Sequence, residues 1–321
     1  MFQSKVYKLV SINIIISLII LFILPPQTKI DLRWILFAKR IESKTPFLYP
    51  PKKLLDSLPD FLIYKKKYLK DIIDNYKISL LVSKKMDDSI STIKKAQAIG
   101  LLYSKNGGSG CGEKSDNLIE NIKWLSQENG HGCCSDHAQT FLAISIINGV
   151  FSREVHHIGH TFNEFYDPYW KKWIWIDSQF CLMAQNNKGE YLSLYELNNI
   201  IEKKEKFRWV FFGTSKHKFY SILPSTDINF QVSNFQTMIM TLGNNVFEVD
   251  YYNQKLSWLS KEVRQIILII LKKQPKYLIY DPHNNFYKSI NQSQNQIIAF
   301  CLFIIVLNIV LYRMINIKKR V

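Results

Sequence analysis

The chain has 321 residues, of which 47% are hydrophobic and 14% aromatic, enough apolar material for one large folded domain or two small ones. Its formal net charge of +16 comes mainly from lysines spread along the whole length, without a compact basic block interleaved with aromatic residues. This pattern argues against nucleic-acid binding, and attraction to anionic lipid is the other physical use for such charge.

Residues 9–24 (LVSINIIISLIILFIL) form an uncharged apolar run that follows Lys5 and Lys8. As a helix this run is about 24 Å long, and two further residues bring it closer to the ~30 Å hydrocarbon core of a bilayer. A cleaved signal peptide is the alternative, but no small-residue cleavage site follows the run. We therefore predict a transmembrane anchor at residues 6–24.

Residues 27–105 are predicted to form a helical N-terminal region, because apolar residues recur there at helical spacing, as in residues 90–102. The run GGSGCG at residues 107–112 resembles a phosphate-binding loop but lacks the Lys-Ser/Thr that closes such a motif. We interpret this run as a loop near the start of a catalytic core at residues 106–225. Residues 116–126 of this core predict a helix.

The next predicted helix, residues 135–147, buries one face and stops at Asn148-Gly149. Cys134 therefore falls at its N-cap or in its first turn. Free backbone N–H groups and the helix dipole lower the pKa of a thiol at that position and favour the nucleophilic thiolate.

Three strands rich in aromatic and β-branched residues follow, at residues 153–158, 160–166 and 173–177. A hairpin centred between Pro168 and Tyr169 makes His160 and Asp177 near cross-strand partners. A carboxylate bound to one imidazole nitrogen fixes the tautomer and stabilises the imidazolium as Cys134 loses its proton. The sequence therefore predicts a catalytic triad of Cys134, His160 and Asp177.

The same segment resembles the transglutaminase-like superfamily of papain-fold thiol enzymes, in a membrane-anchored bacterial form. Residues 132–136 (GCCSD) match the family's Gly-x-Cys-x-Asp/Glu pattern and make Cys134 the nucleophile. Residues 160–166 (HTFNEFY) match its His-x-Trp-x-Glu-x-Tyr pattern with phenylalanine in place of tryptophan, and residues 173–177 (WIWID) match its closing strand. The resemblance covers about residues 115–200.

This resemblance implies an α+β, papain/transglutaminase-like core in which a helix carrying Cys134 packs on an antiparallel sheet carrying His160 and Asp177. It implies attack of the thiolate on an amide or ester carbonyl, giving a thioester that an amine or water resolves. The backbone N–H of Cys134 is one expected oxyanion donor. The second is expected upstream, with Trp124 and Gln127 as candidates.

The expected function is that of a cysteine-dependent acyltransferase or peptidase/amidase, without a cofactor or catalytic metal, acting on a protein, peptide or cell-envelope substrate. Two alternatives stay open: a non-catalytic, membrane-tethered binding module of the same fold, and a metal-binding hydrolase. The second rests on a group of possible metal ligands. These are His131, Cys133, Cys134, His137, His156, His157, His160 and Cys181.

Five cysteines are too few for a disulfide framework in a chain of this length. Cys111 and Cys181 are left with two interpretations, a structural disulfide outside the cytoplasm or two small buried residues. Cys301 lies in an apolar tail, where it is expected to act as a small hydrophobic residue.

The C-terminal part begins with two further elements of the core: a helix at residues 191–203 with Ser193 as its N-cap, and a strand-like stretch at residues 207–220. Residues 226–296 are expected to form an α/β extension, with a helix at 256–272 and a strand at 277–280.

A second apolar run, IIAFCLFIIVLNIVLY at residues 297–312, is followed by a basic tail. A buried C-terminal helix is the alternative to a second span at residues 297–315. With two spans and a cytoplasmic basic tail, both termini are cytoplasmic and the catalytic core is extracytoplasmic.

Overall fold

The computed structural model describes residues 11–13, 37–57, 91–103, 118–125, 127, 132–157, 160–213, 237–242, 251–273, 276–283 and 285–317. The chain divides into two compact units, one formed by Lys39–His283 and the other by Met1–Ala38 together with Asn284–Val321. The glycine-rich run at 107–112 and His131 lie outside the described residues, and the predicted boundaries at 105/106 and 225/226 stay predictions.

An eight-stranded sheet is the central element of the fold. Its strands are β1 (Ala38–Arg40), β2 (Ser152–His157), β3 (His160–Asp167), β4 (Lys172–Asp177), β5 (Leu182–Asn186), β6 (Phe207–Phe211), β7 (Met238–Leu242) and β8 (Tyr277–Tyr280). Their order across the sheet is β1-β8-β7-β2-β3-β4-β5-β6. Every pairing from β8 across to β6 is antiparallel.

Helices accompany this sheet, so the predicted α+β class is confirmed. They are α1 (Pro51–Ser57), α2 (Thr92–Tyr103), α3 (Leu118–Leu125), α4 (Cys134–Ile147), α5 (Leu194–Glu202), α6 (Lys261–Ile270) and α7 (Asn285–Ile317), with a 3-10 helix at Thr45–Leu48. The sequence predicted helices over α1 to α6 and strands over β2, β3, β4, β6 and β8. It did not predict β1, β5 or the 3-10 helix.

Strand β4 shows how the sheet is buried on both faces. Trp173 and Trp175 pack into a core cluster that also contains Leu194 and Leu197 of α5. The alternate residues Ile174 and Ile176 pack into a second cluster, which is built from α2, α3 and α4. Because side chains alternate along a strand, the aromatic and aliphatic residues of WIWID serve two different cores.

A buried ion pair joins the sheet to its surroundings. Arg153 Nε on β2 donates to Glu164 Oε2 on β3 at 2.8 Å. Arg153 also donates to the backbone oxygen of Phe47 at 2.6 Å and lies 3.7 Å from the centre of the Trp173 ring. The other oxygen of Glu164 accepts from Leu194 N at 2.6 Å. The pair therefore connects the 3-10 helix, two strands and the start of α5.

The second unit contains α7, which includes the second predicted span and extends it in the N-terminal direction to Asn285. Asn13 Nδ2 donates to Asn308 Oδ1, which joins the N-terminal apolar run to this helix. In the described part of the chain, no helix has the length and apolar character needed to cross a membrane. Apart from 11–13, the first predicted span lies outside the described residues, and both spans stay predictions.

Candidate active site

The GCCSD motif builds the start of α4. Cys133 is the N-cap, with extended backbone angles (φ −69, ψ 166), and Cys134 is the first helical residue. Asp136 Oδ2 accepts a hydrogen bond from Cys133 N at 2.8 Å, which satisfies one free donor of the helix end. A Cβ atom at Gly132 would lie 2.9 Å from Leu125 Cδ2 and 3.1 Å from Asp136 Cβ. The motif therefore brings Gly132 close to Leu125, caps the start of α4 and leaves the thiol of Cys134 partly exposed.

The β3–β4 hairpin brings the predicted histidine and aspartate together. His160 is the first residue of β3 and Asp177 the last residue of β4. His160 Nε2 lies 2.7 Å from Asp177 Oδ2. Nδ1 is then the ring nitrogen left for the side-chain hydrogen bond that His160 makes with Cys134. The structure thus places the three predicted side chains next to one another.

The register of this hairpin differs from the predicted one. Asn163 pairs with Ile176, which centres the hairpin between Tyr169 and Trp170, one residue later than predicted. The reason is that β3 continues through Asp167, whose Oδ1 accepts from Tyr169 N and Trp170 N at 2.9 and 3.0 Å and so forms the turn.

The turn that follows β4 fixes the side chain of Asp177 through hydrogen bonds. Its Oδ1 accepts from Gln179 N at 3.0 Å and from Phe180 N at 3.2 Å, and its side chain is 1% exposed. The rings of Phe162 and Phe180 lie 5.3 and 5.5 Å from the His160 ring, centre to centre. The carboxylate is therefore fixed in orientation, and the imidazole is enclosed by apolar rings.

The electrostatics favour a thiolate–imidazolium pair. Burial raises the pKa of Cys134, but hydrogen bonding to His160, the charge of His160 and hydrogen bonding to Thr161 together lower it below its ordinary value. Burial lowers the pKa of His160, but the charge and hydrogen bond of Asp177, with a smaller contribution from Cys134, raise it from 6.5 to about 10. Both shifts favour transfer of the proton from the thiol to the imidazole.

Thr161 is a residue of this candidate site that the sequence did not predict. Both its backbone N–H and its hydroxyl hydrogen-bond to Cys134 and lower the pKa of the thiol. Thr161 occupies a variable position of the histidine motif, so residue type alone gave no signal. The available signal was its position directly after His160, because the residues at the start of β3 must lie close to the sulfur of Cys134.

The expected oxyanion donors lie at the start of α4 and near the end of α3. The backbone N–H of Cys134 makes no hydrogen bond to any other described group, so it is available to a developing oxyanion. Trp124 is 40% exposed near the end of α3, and Gln127 N donates to its backbone oxygen at 3.1 Å. Leu125, between them, contacts Gly132. The assignment of Trp124 or Gln127 as second donor stays a prediction.

The structure defines the disulfide state of three cysteines. Cys133 is disulfide-bonded, whereas Cys134 and Cys181 are not in disulfides. A disulfide between Cys111 and Cys181 is therefore excluded, and the second interpretation of Cys181, as a buried small residue, fits its 1% exposure. The nucleophile predicted at position 134 is thus a free thiol beside an oxidised neighbour.

The potential metal ligands do not converge in the described residues, where no group of three or more His, Cys, Asp or Glu side chains is arranged around a common point. His156 is buried, and burial lowers its pKa to about 3. His137 is also buried, with its pKa lowered to about 4 by burial. Both rings are therefore neutral at physiological pH.

In comparisons with known proteins, no protein-family model, no curated protein and no solved structure matches the chain.

Proposed function

We propose that this chain is a cysteine-dependent acyl-transferring enzyme with a transglutaminase-like, papain-type core and a Cys134-His160-Asp177 triad. The observation that carries the proposal is the combination of a lowered pKa at Cys134 with a pKa of about 10 at His160, whose ring is held by Asp177 at 2.7 Å. A nucleophile, its acid–base partner and the group that orients that partner are the parts of a covalent catalyst.

The first half-reaction begins with the thiolate of Cys134 attacking the carbonyl carbon of an amide. A C–S bond forms while the carbonyl oxygen takes up negative charge, next to the free N–H of Cys134 at the start of α4. The imidazolium of His160 then gives its proton to the leaving nitrogen. The products are a thioester on Cys134, a neutral His160 and a free amine.

The second half-reaction regenerates the enzyme. Neutral His160 removes a proton from the acyl acceptor, which attacks the thioester and releases the thiolate. Asp177 stabilises the imidazolium that forms again. Water as acceptor gives hydrolysis, and a primary amine gives transamidation.

We also propose that the enzyme is held at a bilayer by its two ends, with both termini in the cytoplasm and the core outside. Support comes from the uncharged runs at 9–24 and 297–312, the basic residues after the second run, and the amide pair between Asn13 and Asn308. Several large apolar side chains of α7 are more than half exposed, as expected for contact with lipid. They are Ile298, Leu302, Phe303, Ile305, Val306 and Ile309. Release of the full chain from membranes by alkaline carbonate would contradict this part.

Alkylation kinetics test the triad. The purified full chain is treated with iodoacetamide across a range of pH, and labelling is quantified at Cys134 and at added glutathione, which serves as the reference for an ordinary thiol. We expect Cys134 to be labelled at about pH 6 at least about tenfold faster than an ordinary thiol, because its thiolate is already populated there. His160→Ala should remove this advantage, and Cys134→Ser should remove the label.

Labelling of Cys134 no faster than that of a free thiol would overturn the catalytic proposal. Fast labelling without turnover of amide or thioester donors, offered with water or with a primary amine, would favour the non-catalytic binding module. Protection of Cys134 that a chelator reverses would favour the metal-binding alternative. The masses of the products formed with the amine distinguish hydrolysis from transamidation.

A further inference from the structure

Glu154 is a buried acidic residue that the triad does not use. It lies in the middle of β2 and is 5% exposed. Its Oε2 is buried and makes no hydrogen bond to any described group. A carboxyl in such a place is costly as an anion unless a partner compensates it, so its presence calls for a physical explanation.

The strand register places Glu154 on the face of the sheet that packs against α4. Glu154 pairs with Asn163 and His156 pairs with Thr161, so Glu154 is a diagonal neighbour of Thr161 on the same face of the sheet. Asn163 Nδ2 donates to the backbone oxygen of Ala138 at 3.0 Å, which shows that this face packs against the first turns of α4. Thr161 in turn hydrogen-bonds to Cys134.

Among the described residues, one charged group acts on Glu154. Its cross-strand partners, Asn163 on β3 and Thr241 on β7, are neutral. His156, two residues along β2, is buried and neutral at physiological pH. From α4, the charge of Cys134 acts on the carboxyl. Burial first, and then this charge, raise the pKa of Glu154 from 4.5 to about 8.

We propose that Glu154 is a positioning residue that shares a single negative charge with Cys134, so that its carboxyl is protonated while the thiolate is present and ionises once the sulfur is acylated. The inference rests on the proposed function, because it needs a thiolate at position 134 in the resting enzyme. It assigns a role to a residue outside the triad and outside the three sequence motifs.

The proton balance of this step is simple. Formation of the thioester removes the negative charge from the sulfur, and the Glu154 carboxyl then releases its proton to solvent. Release of the acyl group restores the thiolate, and Glu154 takes up one proton again. In both halves of the reaction, therefore, only one of the two groups, Cys134 or Glu154, carries a negative charge. The repulsion between two buried anions is avoided.

Infrared difference spectroscopy tests this inference on the full chain. The carbonyl band of a protonated carboxylic acid is titrated with pH in the wild type, and the Glu154→Gln spectrum is subtracted to separate Glu154 from the other buried carboxyls of the described residues, which are Asp136, Glu164, Asp167, Asp177 and Asp281. We expect a band that disappears with a midpoint at about pH 8. Alkylation of Cys134 with iodoacetamide, which removes the thiolate, should move this midpoint down by about one pH unit.

Two comparisons make the test independent of any one variant. Cys134→Ser should show the same lowered midpoint without alkylation, and Glu205→Gln, an exposed acid-to-amide change, should leave the band unaltered. A midpoint that is identical before and after alkylation, or the absence of the band from the difference spectrum, would overturn the inference even if Cys134 is labelled rapidly. Slow labelling of Cys134 would instead overturn the proposed function, so the two failures are distinct.

Discussion

Asp177 reaches His160 diagonally across the β3–β4 hairpin, with 2.7 Å between Oδ2 and Nε2. Extension of the observed register puts Phe162, and not His160, directly opposite Asp177. A diagonal contact on a sheet is longer than a direct one, and it is made here because the turn after β4 fixes the carboxylate through its second oxygen. The orientation of the imidazole therefore depends on the Asp177–Phe180 turn as much as on the hairpin.

Asp177→Asn should reduce the reactivity of Cys134 at low pH. The amide cannot stabilise an imidazolium as a carboxylate does, so the pKa of His160 should fall and the thiolate should lose its partner. We expect iodoacetamide labelling at about pH 6 to slow by about ten- to a hundredfold, which corresponds to a rise of about one to two units in the pKa of Cys134. The labelling rate should recover at alkaline pH. The measurement is the labelling rate of Cys134 as a function of pH.

Glu205→Gln is the matched control for Asp177→Asn, since it makes the same change of an acid to an amide at an exposed position. Its labelling profile should coincide with that of the wild type. An Asp177→Asn profile that is also unchanged would mean that the carboxylate does not influence the nucleophile.

The Thr161 side chain provides a second test of the thiolate. Thr161→Val removes the hydroxyl that hydrogen-bonds to Cys134 and keeps both the backbone N–H and the β-branched shape. A hydrogen bond to a charged group contributes about 1.5–3 kcal/mol, so the pKa of Cys134 should rise by about one unit or more. The measurement is the pH titration of thiolate absorbance in the ultraviolet.

Thr161→Ser keeps the hydroxyl and should preserve the thiolate titration of the wild type. If valine and serine gave the same curve, the hydroxyl would have no part in stabilising the thiolate, and the backbone N–H would be the sole contribution from this residue.

The clustering of Cys134, His160 and Asp177 could be predicted from sequence because each of them belongs to a local pattern. Cys134 precedes an apolar helix with glycine before it, and His160 and Asp177 lie on strands joined by a short turn. Such patterns depend on neighbours within a few residues, which the sequence displays directly. The hairpin centre was wrong by one residue because the capping role of Asp167 extends β3, and this hydrogen bond is visible only in three dimensions.

Thr161 and Glu154 could not be predicted in the same way. The effect of Thr161 on Cys134 and the effect of Cys134 on Glu154 depend on the pairing of β2 with β3 and on the packing of α4 over that pair. Both are contacts between segments distant in sequence. For Glu154, the local sign of something unusual was an acidic residue within SREVHH. Strand β5 was missed for a related reason, because LMAQN carries no alternating pattern and is held by its neighbours β4 and β6.

Gly132→Ala should distort the loop in front of Cys134. The added Cβ would lie 2.9 Å from Leu125 Cδ2, so either the Leu125 side chain or the loop must move. Overpacking of this kind costs about 1–3 kcal/mol, and we expect a loss of that size in the free energy of unfolding measured by urea titration. Movement of the loop should also slow the alkylation of Cys134.

Leu125→Ala provides the complementary change. On its own it should destabilise the chain by leaving a cavity, but combined with Gly132→Ala it gives the new methyl group room. We expect the double variant to recover much of the labelling rate that the single glycine variant loses. A double variant as slow as Gly132→Ala would indicate that the conflict lies with Asp136 instead of Leu125.

Glu154→Gln should change how stability depends on pH. The pKa of Glu154 is raised from 4.5 to about 8, so the folded chain keeps a proton that the unfolded chain loses above about pH 4.5. Stability from this carboxyl is therefore fully present below pH 4.5 and is lost as pH rises through about 8. Glutamine is neutral at every pH, so the variant should be as stable as the wild type near pH 4.5. At pH 8 its free energy of unfolding should exceed that of the wild type by about 2 kcal/mol, which is less than the full 1.36 kcal/mol for each unit of difference between the folded and unfolded pKa. Urea titrations of both chains at the two pH values measure this difference, and parallel pH dependences would show that Glu154 ionises normally in the folded chain.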